Sequence, residues 1–352
     1  MDRYIGLDSH AQTCTVAVMG PSGRRLQEQV LETNGKVLVS FLKSIAGDRY
    51  LCFEEGALSE WLYEMLEPFT KETMVVQASE HQGPKDDSHD AWNLANEYRT
   101  GHLQKVVFKA PKCFTGLRQA VRAHQTATQD LVRARSRLKA VFRSRGVMVD
   151  DSVYQPGLRP KWLRRLSGAY RKLAELRATQ LDAVAEVHAQ AEEWFSEEAT
   201  KIDAVKRIST VPGIGTIRAA QIVAIVVTPN RFRTKRQFRN YCGFGVVTRS
   251  SSDYVRGPDG HWKRQAVQQT RGLNRNRNAT LKAVFTGAAA TVIQQRKDHP
   301  LHRDYERLLA SNVKPSLARL TLARRIAGAT LAIWKNKENY DPAKHERPRT
   351  TP

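Results

Sequence analysis

Three runs with the two-residue alternation of β-strands fill the first 32 residues, and an alternation of helix and strand follows. No other feature constrains the fold as much. The runs cover 3–8, 13–19 and 25–32, with the turn Gly20-Pro21-Ser22-Gly23 between the second and third. Next come a helix at 35–46, a strand ending at Glu54, a helix at 58–68, a strand at 74–76, a helix at 87–99 and an edge strand at 106–108. This order predicts an α/β domain.

Acids close several of these elements. Asp8 ends Ile5-Gly6-Leu7-Asp8, and Glu54 ends Leu51-Cys52-Phe53-Glu54. Alternation puts Tyr4, Gly6 and Asp8 on one face of their strand, and Tyr50, Cys52 and Glu54 on one face of theirs. Asp87 and Asp90, three apart, share a helix face. Any one of these is commonly a solvated charge or a helix cap, and Glu55 competes with Glu54. As a set in a basic chain they read as a cage for Mg²⁺ or Mn²⁺, which favour carboxylate oxygen. Two such ions about 3.5–4 Å apart clamp the attacking and leaving oxygens of a phosphodiester. The element order and acid placement together resemble a ribonuclease-H-like (RuvC-like) domain.

The 57 Lys and Arg against 35 Asp and Glu leave a net charge of +22. Such a balance points to a polyanionic partner, most often nucleic acid. Cys14, Cys52, Cys113 and Cys242 are far apart and lack CxxC spacing, which argues against a zinc knuckle or a disulfide framework and fits a reducing cytoplasm. No apolar run approaches the ~20 residues of a membrane span, and no signal peptide is expected at the N-terminus.

From 114 to 205 the pattern changes to long helices. Leu117, His124, Leu131 and Leu138 recur every seven residues, as do Leu166, Leu173, Gln180, Val187 and Trp194 after a break near Gly146 and Pro156-Gly157. Heptads of this length favour a coiled-coil hairpin or a dimerisation arm. The expected divisions are a catalytic domain at 1–113, the helical region at 114–205, a mainly α-helical domain at 206–336 with helices at 279–296 and 302–335, and a disordered tail at 337–352.

Val211-Pro212-Gly213-Ile214-Gly215, opening an apolar helix at 217–227, has the form of a helix-hairpin-helix turn. Gly213 and Gly215 permit close backbone approach, and the helix N-terminus offers N–H groups to a phosphate. Residues 231–277 hold 12 Lys or Arg and two acids, with Tyr241, Phe244, Tyr254 and Trp262 interleaved. That composition suits a groove on a sugar-phosphate backbone, with Arg239, Arg249, Lys263, Arg264, Arg271, Arg275 and Arg277 as candidate contacts. Ser250-Ser251-Ser252 lies inside this region; by itself a serine triplet is a loop.

In order and spacing these motifs resemble the DEDD transposases of the insertion-sequence-110 family, the bridge-RNA-guided recombinases. Ile5-Gly6-Leu7-Asp8, Cys52-Phe53-Glu54-Glu55-Gly56 and Asp87-Ser88-His89-Asp90 resemble its acidic motifs. Val211 to Gly215 with Phe238 to Gly243 is similar to the start of its C-terminal transposase domain. The resemblance implies catalytic Mg²⁺, dimerisation through a coiled coil, a structured guide RNA, and a nucleophilic serine. Ser251 falls at the matching distance from Gly243, although the glycine usual after that serine is missing and Ser250 and Ser252 flank it. A bacterial, nucleoid-associated protein is expected. The function anticipated is Mg-dependent cleavage and rejoining of DNA through a serine–DNA link. The alternatives are a RuvC-like endonuclease that uses water, or a non-catalytic nucleic-acid-binding protein.

Overall fold

The computed structural model describes residues 1–77, 87–249, 254–264 and 269–346. The chain divides into two compact units, Met1–Cys113 and Phe114–Pro352.

The first unit runs β1 (Asp2–Ser9), β2 (Thr13–Met19), β3 (Arg25–Glu32), α1 (Gly35–Ser44), β4 (Asp48–Glu54), α2 (Ser59–Leu66), β5 (Glu72–Val76) and α3 (Asp87–Thr100). The sheet order is β3-β2-β1-β4-β5. Its first three strands are antiparallel, and β1, β4 and β5 are parallel. The edge strand expected at 106–108 is reduced to an antiparallel bridge between Val106 and Val76. The chain enters it from Lys105 at φ +52°, a left-handed kink that interrupts an extended run.

Alternation sorts the two faces of the sheet. Ile5, Leu7, Val16, Val18, Leu51, Phe53 and Val75 form one core with Leu38, Phe41 and Leu42 of α1 and Leu62 and Leu66 of α2. The other face carries α3. Ala17 and Met19 pack with Ala91, Trp92 and Ala95, while Cys52 and Val76 pack with Leu94 and Tyr98. Tyr4 stacks on its register partner Tyr50 with centroids 5.3 Å apart, and Tyr98 meets both edge-on at 5.9 Å. At Gly6 the helix lies directly on the strand: a Cβ there would stand 1.9 Å from the Ala91 carbonyl oxygen. Tyr98 over Tyr4 and Ala91 over Gly6 set α3 antiparallel to β1, which carries Asp87 to the level of Asp8.

In the second unit α4 (Thr115–Arg143) and α6 (Gly168–Thr200), linked through α5 (Pro160–Leu163), pack as an antiparallel pair. Leu117 and Val121 share a core with Phe195 and Ala199, and Ala134, Leu138 and Phe142 share one with Ala174, Ala178 and Leu181. The α4 heptad faces this seam: Leu117, His124 and Leu138 are buried. The α6 heptad does not. Leu173, Val187 and Trp194 are 40%, 58% and 40% exposed, while Ala174, Ala178, Leu181, Ala191, Phe195 and Ala199 are buried. The small alanines fit a close helix contact, because the side chains at a crossing set the distance between axes.

Helices α7 (Asp203–Ile208), α8 (Thr216–Val226), α9 (Lys235–Tyr241), α10 (Ala279–Gln295), α11 (Pro300–Ala310), α12 (Pro315–Asn336) and α13 (Ala343–Glu346) complete the unit. Two antiparallel strand pairs interrupt it: β6 (Val246–Arg249) with β9 (Gln269–Leu273), and β7 (Tyr254–Arg256) with β8 (Trp262–Arg264). The single helix expected at 302–335 is two, because Asn312 adopts φ +57° and Pro315 restarts the helix at its first turn. The segment read as a tail is folded as far as Glu346. The Tyr340 ring packs on the core, and its N–H donates to Thr210 Oγ1 at 2.9 Å. One aromatic anchor outweighs the charged, proline-rich composition around it.

Candidate active site

Because β1 and β4 are parallel neighbours with Leu7 opposite Phe53, Asp8 and Glu54 close adjacent strands at the same end. The first turn of α3 adds Asp87 and Asp90. His10, two residues beyond Asp8, turns back between the acids: its Nε2 lies 3.1 Å from Asp8 Oδ2 and 3.2 Å from Asp87 Oδ1. Ligating atoms of Asp8, His10 and Asp87 all fall within 4.8 Å of one another. Burial pushes the Asp8 carboxyl above its ordinary pKa; the neighbouring His10 opposes this, and the charges of Asp87 and Asp90 add to it. Asp90 and Glu54 line one cavity of about 330 Å³ together with Gln77, Asn93, Glu97 and His102. Glu55 is engaged elsewhere, accepting from Lys109 Nζ at 2.5 Å while that same amine donates to Ser59 Oγ at 2.9 Å.

This donor set fits a hard divalent cation. Carboxylate oxygens predominate, and a cation would offset both the burial that chiefly lifts Asp8 and the added charge of Asp87 and Asp90. His10 was not anticipated from sequence. A lone histidine two residues past a strand-ending acid gives only a weak signal, since nothing local shows that the loop after β1 folds back over the strand end.

The other candidate residues lie in the second unit. Ser250, Ser251 and Ser252 lie outside the described residues, and Arg249, Arg264 and Arg271 are described as backbone within β6, β8 and β9. Gly213 adopts φ +78°, and a Cβ there would stand 2.3 Å from the Ala288 carbonyl oxygen. Arg218 Nη1 donates to the Gly213 carbonyl at 2.6 Å, so this turn is a packing joint on α10. Gly215 precedes α8 in open space. Arg239 and Arg277 bond their own chain: Arg239 Nε donates to Arg324 O at 3.1 Å and Arg277 Nη1 to Asn274 O at 3.0 Å. Arg275 is exposed, and exposed Lys263 pairs with Asp259 at 2.5 Å. On the β7–β8 hairpin Trp262 stands opposite Arg256, with Tyr254 two residues away on the same face. Trp262 is 68% and Tyr254 57% exposed. No helix among the described residues is long and apolar enough to cross a membrane.

Two family models match this chain. A transposase model for the DEDD enzymes of the IS110 type covers residues 5–145, and the model described as "Transposase IS116/IS110/IS902 family" covers residues 205–273. No curated protein matches it. The first match takes in all four acids, of which the fold brings Asp8 and Asp87 together and sets Glu54 and Asp90 along one cavity, and the second covers Gly213, Gly215 and the serine triplet. The chain therefore belongs to the IS110 family of DEDD transposases, enzymes that recombine DNA.

Proposed function

We propose that this transposase cleaves and rejoins DNA at a divalent-cation site formed by Asp8, Glu54, Asp87 and Asp90, with Ser251 as nucleophile. The observation that carries this reading is the meeting of Asp8 and Asp87 across β1 and α3, with the charge of Asp90 near enough to act on Asp8. Mg²⁺ or Mn²⁺ bound there would polarise the scissile phosphate. The acids would hold the cation. Ser251 Oγ attacks phosphorus; the serine–phosphate bond forms as the bond to the 3′-oxygen breaks, and that oxygen leaves as a hydroxyl carrying the serine proton. A 3′-hydroxyl on a new partner reverses the step and returns the proton to serine, so no phosphodiester energy is lost to water.

A structured guide RNA pairing with donor and target DNA completes the reading, with the protein as a dimer or tetramer. Arg275, Lys263 and the Tyr254–Trp262 face of the β7–β8 hairpin are suited to backbone and unpaired bases, since aromatic side chains stack on any base. The test is strand exchange between element-end and target DNA, using protein purified with its RNA. Exchange should require Mg²⁺ or Mn²⁺ and the RNA, and should fall at least about 100-fold in Asp8→Asn and Ser251→Ala. Cleavage that survives Ser251→Ala and leaves open ends would make the enzyme a water-dependent nuclease.

A further inference from the structure

We propose that His10 is a further ligand of the catalytic cation, so that the site binds it through nitrogen as well as oxygen and favours Mn²⁺ over Mg²⁺. The inference rests on the metal reading of Asp8 and Asp87 and adds a residue to it. Three features of the geometry lead there.

The first is spacing. For metal–donor distances of about 2.1 Å, neighbouring donors of an octahedron stand √2 times further apart, about 3.0 Å. His10 Nε2 stands 3.1 Å from Asp8 Oδ2 and 3.2 Å from Asp87 Oδ1. Each pair therefore has the separation of two adjacent corners of one coordination sphere.

The second is hydrogen-bond capacity. A ring nitrogen carries at most one proton, and that proton serves one acceptor well. Nε2 faces two carboxylates at nearly equal range, so as a hydrogen-bond donor it satisfies one and leaves the other short. With a cation between the three groups, the neutral Nε2 lone pair and both carboxylates point at the same centre and none is left over.

The third is position. His10 follows β1 and its side chain is 47% exposed, whereas Asp8 is 20% exposed. The ring closes the open side of the acid pair without having to displace core. Imidazole is a softer donor than carboxylate: it suits transition metals, while Mg²⁺ prefers an all-oxygen shell.

The test uses full-length protein, stripped of metal and titrated with Mn²⁺ alone. Electron-spin-echo modulation of the bound Mn²⁺ should show coupling to a ¹⁴N nucleus, and the frequencies should change on labelling histidine with ¹⁵N. His10→Gln preserves a hydrogen-bonding group but has no imidazole; it should abolish the nitrogen coupling and weaken Mn²⁺ binding about tenfold, with Mg²⁺ binding changed less. His10→Ala should behave alike, with circular dichroism and the melting midpoint showing that both variants fold. Bound Mn²⁺ that disappears in Asp8→Asn but shows no nitrogen coupling in the parent would overturn the role of His10 and leave the acid site standing. Mn²⁺ binding indifferent to Asp8→Asn and Asp87→Asn would overturn the acid site and this inference together.

Discussion

Gly6 of β1 and Ala91 of α3 touch backbone to backbone: a Cβ on the glycine would stand 1.9 Å from the alanine carbonyl oxygen and 2.7 Å from the Ala95 nitrogen. Neither neighbour is the flexible end of a side chain, so the helix as a whole must move. Gly6→Ala should cost about 1–3 kcal/mol, the usual penalty of overpacking, read from a shift in the urea midpoint. It should also reduce strand exchange more than the stability loss accounts for, because Asp87 departs from Asp8 with the helix.

Asp8 gives a pH signature with a definite sign. Burial and the charges of Asp87 and Asp90 raise its folded pKa above the ordinary 3.8. The native protein therefore holds the proton more tightly than the unfolded chain, and the ionised carboxylate costs stability at pH values above the folded pKa. In metal-free protein Asp8→Asn should be the more stable form at pH 7. The difference should shrink as pH falls through the folded pKa and vanish below the unfolded value. Added Mn²⁺ should reverse the order at neutral pH by stabilising only the parent.

Much of this site is legible in the sequence because strands have a period of two. Knowing that Gly6 and Asp8 share a face, and that Cys52 and Glu54 do, places two acids at one sheet end as soon as the strands are neighbours. Helical spacing does the same for Asp87 and Asp90. Three things escaped local pattern. His10 acquires its place from the path of a loop, which no periodicity encodes. The α6 seam also escaped, because alanine carries little hydrophobic signal: Ala174 and Ala178 are buried while the larger Leu173 and Leu176 look outward. Four strands within 231–277 were masked by the charge of that segment, whose residues read as groove before they read as hairpin.

The dimer or tetramer proposed above would form through the outward stripe on α6. Val187→Glu with Trp194→Glu should leave the fold intact, since both side chains are at least 40% exposed, and should lower the mass measured by light scattering towards that of a monomer. Ala178→Glu, which buries a charge against α4, should instead unfold the hairpin.

Nucleic-acid binding should weaken with salt at a log–log slope near −5 if about six phosphates are contacted. Trp262→Ala should leave that slope unchanged while lowering affinity for single strands by about 1–3 kcal/mol, the cost of one lost stacking contact. Lys263→Ala should do the reverse, flattening the slope by about one unit. Filter binding across a salt series separates the two.

The proposed serine–DNA link can be tested most directly. Protein with any co-purified RNA, element-end DNA and Mn²⁺ should yield a species on a denaturing gel that retains both polypeptide and DNA, with the linkage mapping by peptide mass to Ser251. That species should be absent in Ser251→Ala and in Asp8→Asn. Strand exchange at full rate with no such species, or with it still formed in Asp8→Asn, would contradict the mechanism.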